Sequence, residues 1–481
     1  MIVARAARLR RRLASVPETR LRWILLALWV ASSLLVAHFH EPWRDEAQAW
    51  LVARSSGTLG DLLYRAALEA TGPLYYLLLW GWARTFPLAF PGIIFWVSWS
   101  GTLLAVSLLL FYSRVPLWIS ALAAFGYLFG YEYAVIARLY GWGSFLLLAG
   151  IAADQEGRDR LRTLCLSLAC LVQLNFVFAT AAWCAFRILG ENDRRERIRR
   201  ALGYAPIAAA VALSLAHLHM ASGEIGLGEW DFRLGAGRWG STLITPFIQS
   251  RGKMGWPGIV LFPMVLLPLR RHARLALLAG MAPFLALFLF HYYGMALSRH
   301  GGPLFLAWLM MCVAGPGTGR WARRSLALLL SFSMLTGIEA RVRELAASYS
   351  DGLALADRIG EIAREKGRRP KVFVGEDLTG FVVAARLGTP LWTGMEFVRI
   401  DYPAFTKERN RRIALERFCH PWEGYTERCS RDEVCFYVGR PRYDCIPTDL
   451  EGRFAPVFAP TKTISDESLF AFEIKLSSPA P

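Results

Sequence analysis

Charge is scarce in this chain. Asp, Glu, Lys and Arg make up 19% of its 481 residues, against roughly 25% in a soluble globular domain. Apolar residues reach 54%, which excludes intrinsic disorder and an ordinary water-soluble fold. Lysine is scarcer still, at 6 of 55 basic residues. The net charge of +17 would suit nucleic acid only if one basic face lay on a soluble fold. Here the arginines stand between apolar segments, so no nucleic-acid partner is expected. No C-x-x-C pair occurs, which counts against a zinc ribbon. No internal repeat relates the two halves, as an inverted-repeat transporter would require.

What is present is a series of apolar runs between position 21 and about 339, suited to a bilayer. The seven arginines Arg5, Arg8, Arg10, Arg11, Arg12, Arg20 and Arg22 surround the start of the first run, Leu21 to Phe39, and place that end in the cytoplasm. The exit His38-Phe39-His40-Glu41-Pro42-Trp43 lacks a small-residue cleavage site, so the run is read as a retained helix. Further arginine clusters at Arg187 to Arg200, Arg270 to Arg274 and Arg320 to Arg324 mark cytoplasmic turns. Outward segments follow at His40 to Gly72, Ala221 to Trp256 and His291 to Gly302.

The stretch from 73 to 188 threads in two ways. If each apolar segment crosses once, Tyr131 to Tyr140 is cytoplasmic. If one early segment is re-entrant and 163 to 186 breaks near Asn175 into two short crossings, the same stretch lies outside. Both give about eleven crossings, and the second is preferred because of Arg138. The expected fold is therefore a polytopic α-helical membrane protein, residues 1–340, with a C-terminal exported α/β domain, 341–481. The tail shows a helical pattern from Tyr349 to Lys366, strands at Lys371-Val-Phe-Val and Pro390-Leu-Trp-Thr, and an amphipathic stretch Leu378 to Leu387 between them. Its four cysteines, Cys419, Cys429, Cys435 and Cys445, point to two disulfides in an oxidising compartment, with three pairings open.

The chemistry concentrates in the segment 40–72. It opens Glu41-Pro-Trp43-Arg44-Asp45-Glu46-Ala-Gln-Ala-Trp50 and closes Glu69-Ala-Thr-Gly72-Pro73-Leu74-Tyr75-Tyr76. An acidic pair a few residues beyond a membrane helix sits at the interface, where a carboxylate can meet a lipid-linked substrate. In order and spacing, W-x-D-E-A-x-x-W followed by E-x-x-G-P-L-Y-Y resembles the GT-C glycosyltransferases, in the branch of protein O-mannosyltransferases and the lipid A aminoarabinose transferase. Gly72-Pro73-Leu74 stands where that branch has an H-P-P-L-type entry, which leaves the subfamily open.

The resemblance implies transfer of a sugar from a polyprenyl-phosphate donor to an extracytoplasmic acceptor hydroxyl, usually with inversion. Asp45 would be the general base, and Glu46 would orient it or bind the acceptor. The leaving phosphate needs cationic partners, for which Arg138, Arg299 and His300 are the candidates. Trp43, Arg44, Glu69, Tyr75, Glu132 and Tyr140 complete the candidate pocket. Glu132 pairs with Arg138, or joins Asp45 around a divalent cation as in the oligosaccharyltransferase branch; the mannosyl branch manages without metal, and no cofactor is expected. His38 and His40 are read as interface residues, and His217 and His219 face different ways on a helix. The partners implied are the lipid-linked donor, a glycan, lipid or protein acceptor, and the lipids of a bacterial inner membrane. The alternative class is a transporter or flippase of lipid-linked sugars.

Overall fold

The computed structural model describes residues 16–475 apart from 70, 87–88, 222, 225–235, 249–255, 291–297, 316–318, 376–379, 394–396, 403–405, 407–424, 426, 442–453 and 466. The arginines before position 16, most of the Ala221 to Trp256 segment, and Cys419 and Cys445 lie outside the described residues.

The first helix, α1 (Glu18–Phe39), carries a face that packs inward and another, with Trp23, Leu28 and Leu35, that stays exposed. Apolar exposure of that kind suits lipid, not water. The 40–72 segment holds two short helices, α2 (Arg44–Ser55) and α3 (Leu59–Leu68), the second capped by Thr58, which accepts from the Asp61 N–H. Helix α4 (Pro73–Thr85) starts with its proline in the first turn, where the missing N–H costs nothing. It does not run away from α2 and α3: Trp80 Nε1 and Arg84 both donate to Ser56 O.

Helix α5 (Gly92–Phe111) lies antiparallel to α1. Trp99 stacks on Trp29 at 5.9 Å and donates to Ser33 Oγ, while Arg22 donates to the Leu110 and Val115 carbonyls. The chain then returns through α6 (Leu117–Ala124) and one π turn, Leu128–Glu132, whose Phe129 carbonyl accepts from Trp29 Nε1 at 2.9 Å. Next come α7 (Tyr140–Gln155), α8 (Asp159–Cys170) and α9 (Leu174–Leu189). The far ends of α7 and α9 meet where Asp154 holds Arg187 at 3.0 Å and accepts from Trp183 at 2.9 Å. So the apolar stretch 163 to 186 breaks into two antiparallel helices, the second starting one residue before Asn175.

Helices α10 (Arg194–Gly203), α11 (Ala205–His219), α12 (Ala236–Ile244), α13 (Trp256–Leu266), α14 (Arg271–Phe290), α15 (Ser298–Ala314) and α16 (Arg320–Ala346) complete the bundle. The last runs past the expected end near 339. Among the described residues, α1, α5 and α16 are each long and apolar enough to cross a membrane, and α10 with α11 qualify as a pair bent by 41°.

The C-terminal domain starts with α17 (Gly352–Glu365), whose buried Leu355, Ala356, Ile359, Ile362 and Ala363 form one helical face. Around it stands a six-stranded sheet in the order β3-β2-β1-β4-β6-β5. Its strands are β1 (Arg369–Val374), β2 (Leu391–Thr393), β3 (Arg399–Ile400), β4 (Glu433–Gly439), β5 (Phe454–Phe458) and β6 (Phe470–Ile474). β1 pairs parallel with β2 and β4, and the other pairings are antiparallel. The crossover from β1 to β2 is α18 (Phe381–Leu387), closed by Gly388 at φ 70. Cys429 and Cys435 form a disulfide, one of the two bonds expected.

Two glycines of α4 and its entry make a controlled test of the corner. Gly72 donates to Val172 O, and a Cβ there would overlap the Leu171 carbonyl; Gly81 has nothing within 4 Å. Gly72→Ala should destabilise the protein by about 1–3 kcal/mol, whereas Gly81→Ala should leave it unchanged or slightly more stable. Thermal unfolding in detergent, read by tryptophan fluorescence, compares the two.

Candidate functional site

Helix α2 begins beneath the C-terminal domain, and two adjacent carboxylates in its first turn do different work. Glu46 is 1% exposed and fully engaged. Its Oε2 accepts from the Trp43 backbone N–H at 3.0 Å, which caps the helix, and meets His40 Nε2 at 3.0 Å; its Oε1 accepts from the Ala137 N–H at 2.6 Å. With both oxygens occupied, Glu46 braces the helix and is not arranged to contact an acceptor.

Asp45 turns the other way. Its Oδ2 lies 3.0 Å from Arg299 Nη2 and 3.5 Å from Arg138 Nη1, and Arg44 Nε is 3.8 Å from Oδ1. Arg138 also donates to the Asp45 carbonyl at 2.6 Å. Three guanidinium groups thus surround one carboxylate, and the side chains keep partial exposure of 18% for Asp45, 17% for Arg138 and 11% for Arg299. Burial pushes the Asp45 carboxyl up, but Arg138, Arg299 and Arg44 outweigh it and hold the group below the usual carboxylate range. The Arg299 Nε–H is buried with no hydrogen-bond partner among the described residues.

The segment 131–140 and α15 deliver these arginines. Tyr133 hydroxyl donates to Arg299 O at 2.8 Å, and a Cβ on Gly302 would collide with that tyrosine, so the glycine permits the approach. Tyr140 stacks on Tyr133 at 5.2 Å, and His300 stacks on Phe288 at 5.1 Å and stands 6.3 Å from the Tyr140 ring. Trp43 lies beneath Arg299, with the guanidinium carbon 5.3 Å from the ring centroid. Arg138 and Ala137 both bond to α2, so residues 131–140 stand at the same end of the bundle as Asp45. Tyr75, nearly fully buried, shares a 3.0 Å hydrogen bond with Ser98, and Glu69 caps the end of α3. Glu132 accepts from Tyr127 at 2.7 Å and, among the described residues, forms no ion pair with Arg138. Among the described residues no group of three or more His, Cys, Asp or Glu could hold a metal ion.

Sequence reasoning undervalued His40. It is no idle interface residue: Nδ1 meets Glu344 Oε1 at 2.7 Å while Nε2 meets Glu46, and Tyr131 hydroxyl donates to the other Glu344 oxygen at 2.7 Å. Burial lowers the His40 pKa, but Glu46 and Glu344 overturn that and push it up to about 10. Glu344, at the end of α16, and Glu467, in the C-terminal domain, carried no local signal.

The arrangement of helices with a C-terminal sheet has counterparts among solved structures. It is similar to the crystal structure of ArnT from Cupriavidus metallidurans in the apo state, with a TM-score of 0.56 and 13% identity over 95% of this chain and 99% of that one. It is equally similar to ArnT from the same organism bound to undecaprenyl phosphate, with a TM-score of 0.55, 13% identity and the same coverage. No family model and no curated protein matches the chain by sequence.

Because the folded pKa of His40 stands above its ordinary value, its pairing stabilises the fold fully below pH 6.5 and is lost as the pH rises toward about 10. Over that window the unfolding temperature of the wild type should fall more steeply than that of His40→Gln. Melting curves of both at matched pH values would reveal equal slopes if the pairing were inert.

Proposed function

We propose that this chain is an integral membrane glycosyltransferase that moves a sugar from a polyprenyl-phosphate donor to an acceptor hydroxyl on the non-cytosolic side of a bacterial inner membrane, with inversion. In this reading α1, α5, α6 with its π turn, α7, α8, α9, α11, α13, α14, α15 and α16 are eleven passes. The N-terminus is cytoplasmic, and the C-terminal domain is exported. Donor binding would fall to the arginines and base catalysis to Asp45, with no cofactor. The fold shared with ArnT, one structure of which holds undecaprenyl phosphate, supports the class of donor.

The observation that carries the reading is the charge of the cluster itself. Three arginines against one aspartate leave a local excess of two positive charges at a partly buried site. A phosphodiester-linked sugar carries one negative charge, and the phosphate monoester that departs carries about two. The cluster therefore favours the departing state more than the bound donor, which is the differential binding that lowers a barrier.

A guanidinium has more than one N–H edge. Arg299 uses one edge on Asp45, and its buried Nε–H remains for a phosphate oxygen. Carboxylate and phosphate would then share one guanidinium, which holds the base and the leaving group close to the same sugar carbon. As the phosphate draws on the arginines, their hold on Asp45 weakens, and a carboxylate kept acidic by three cations becomes a better base. Its neighbour Glu46, locked in the helix cap, keeps the backbone of the pair from following.

Asp45→Asn removes the base and leaves the arginines. In reconstituted protein, transfer of radiolabelled sugar from a polyprenyl-phosphate donor should fall about 10²–10⁴-fold while donor binding persists. Undiminished transfer would remove Asp45 from the chemistry, and donor movement across the bilayer without transfer would favour a flippase. Arg299→Lys keeps the charge but loses the fork, and should weaken donor binding by about tenfold, roughly 1.4 kcal/mol, as titration calorimetry would register.

A further inference from the structure

The helix that carries Asp45 is held at its reacting end by a residue more than four hundred positions away. Glu467, 1% exposed, directs Oε1 at the Arg44 backbone N–H, 2.8 Å away, and accepts from Ser350 Oγ on Oε2 at 2.8 Å. Arg44 is the first residue of α2, so this bond satisfies one of the N–H groups that a helix start leaves open. The glutamate is itself fixed: its backbone carbonyl accepts from the Asp351 N–H at 3.1 Å, and Asp351 in turn accepts from Thr461 and Leu469 N–H groups at 2.9 Å. The grip continues along α2. The helix α18 packs against it, and Gly388 at the α18 terminus approaches the Arg54 guanidinium so closely that a Cβ would touch it at 3.0 Å. Residues Glu46 through Ala53 are all buried, between this domain and α4 of the bundle.

We infer that the C-terminal domain is a positioning clamp for the helix bearing Asp45, and that Glu467 is the positioning residue, acting through the Arg44 N–H to set where the adjacent carboxylate stands among Arg138 and Arg299. A displacement of about 1 Å at a reacting group costs on the order of 10²-fold in rate, so a domain that touches no substrate can still govern turnover. The inference rests on the transferase reading for its kinetic consequences only; the clamp itself is a matter of hydrogen bonds and packing.

The surroundings of Glu467 add a pH signature. Burial pushes its carboxyl up to about 7, opposed by Ser350 and Arg44 and helped by Asp45. The charged or titratable groups facing this junction are Arg44 and Asp45 from α2, His40 and Glu41 from the segment before it, Glu344 from α16, and Tyr349 and Asp351 from the start of the domain. Asp45 is held low and His40 high, while burial raises both Glu41 and Glu467; of these two it is Glu467 that bonds to the start of α2. Ionised, it offers both oxygens as charge-assisted acceptors; protonated, it turns one of them into a donor.

The test uses the full chain in lipid nanodiscs. Glu467→Ala should lower kcat about tenfold with the donor KM unchanged, the signature of a lost transition-state alignment. Glu467→Gln, whose amide oxygen still accepts from the Arg44 N–H, should recover most of that loss. The wild-type kcat should rise only slightly with pH through about 7, because the protonated acid, like Gln, still accepts from the Arg44 N–H, and that small rise should be missing in Glu467→Gln. Hydrogen exchange at residues 44–47 should quicken in Glu467→Ala whatever the activity. Wild-type kcat in Glu467→Ala, or unchanged exchange, overturns the clamp. If the alanine variant does not fold, Ser350→Ala, which removes one of the two bonds, carries the same prediction, and wild-type kcat and exchange there overturn it. A wild type that transfers no sugar, with exchange still quickened in the variant, strikes at the transferase reading alone.

Discussion

Glu46 gathers the Trp43 N–H, the Ala137 N–H and the His40 imidazole on one buried carboxylate. Those three partners come from the entry to α2, from the segment that supplies Arg138, and from the end of α1. His40 passes the tie on to Glu344 at the end of α16. A buried charge set of this kind persists only if every member is satisfied; removing one partner leaves an uncompensated charge and typically costs about 3–5 kcal/mol. The frame is therefore rigid for electrostatic reasons, and Asp45, one residue away, inherits its position.

The site shows a division of labour between neighbours in sequence. In a helix, adjacent residues point about 100° apart, so an acidic pair cannot serve one purpose from one face. Glu46 faces the bundle and caps the helix, while Asp45 faces the arginines that the 131–140 segment and α15 bring in. Those arginines hold their places through backbone contacts and aromatic stacking: Tyr133 on Arg299, Tyr140 on Tyr133, Trp43 beneath Arg299. Net positive charge is kept in a partly buried position because each guanidinium has a fixed frame around it, and a cationic site of fixed geometry is worth more to a developing anion than a flexible one.

Backbone breaks in the bundle serve the same end. The chain leaves α6 through a π turn that lifts Phe129 O toward Trp29, and α8 gives way to α9 beside Gly72, whose N–H bonds to Val172 O. Irregular backbone inside a helical bundle is tolerated when protein groups satisfy it. Each break returns the chain to the end where α2 lies, so the short helices of the middle third are what bring 131–140 to Asp45.

Much of this was written into local composition. Apolar runs between arginine clusters specify helices that turn back on each other, because unpaired backbone and charge are both excluded from a lipid interior. The motif around Asp45, with Gly72-Pro73 behind it, singled out a candidate site, and Arg138, singled out by its aromatic setting, is brought beside Asp45 in the fold. The roles inside the acidic pair were not readable, since Asp45 and Glu46 differ only in which way a helix turns them. Nor was His40 as a bridge, because its two carboxylates come from positions 46 and 344, nor Glu467, whose partner is a backbone N–H at position 44. Hydrophobic periodicity acts within one segment and is visible there; a hydrogen bond to a main-chain group across hundreds of residues leaves no trace in either segment, and only the packed chain brings its two ends together.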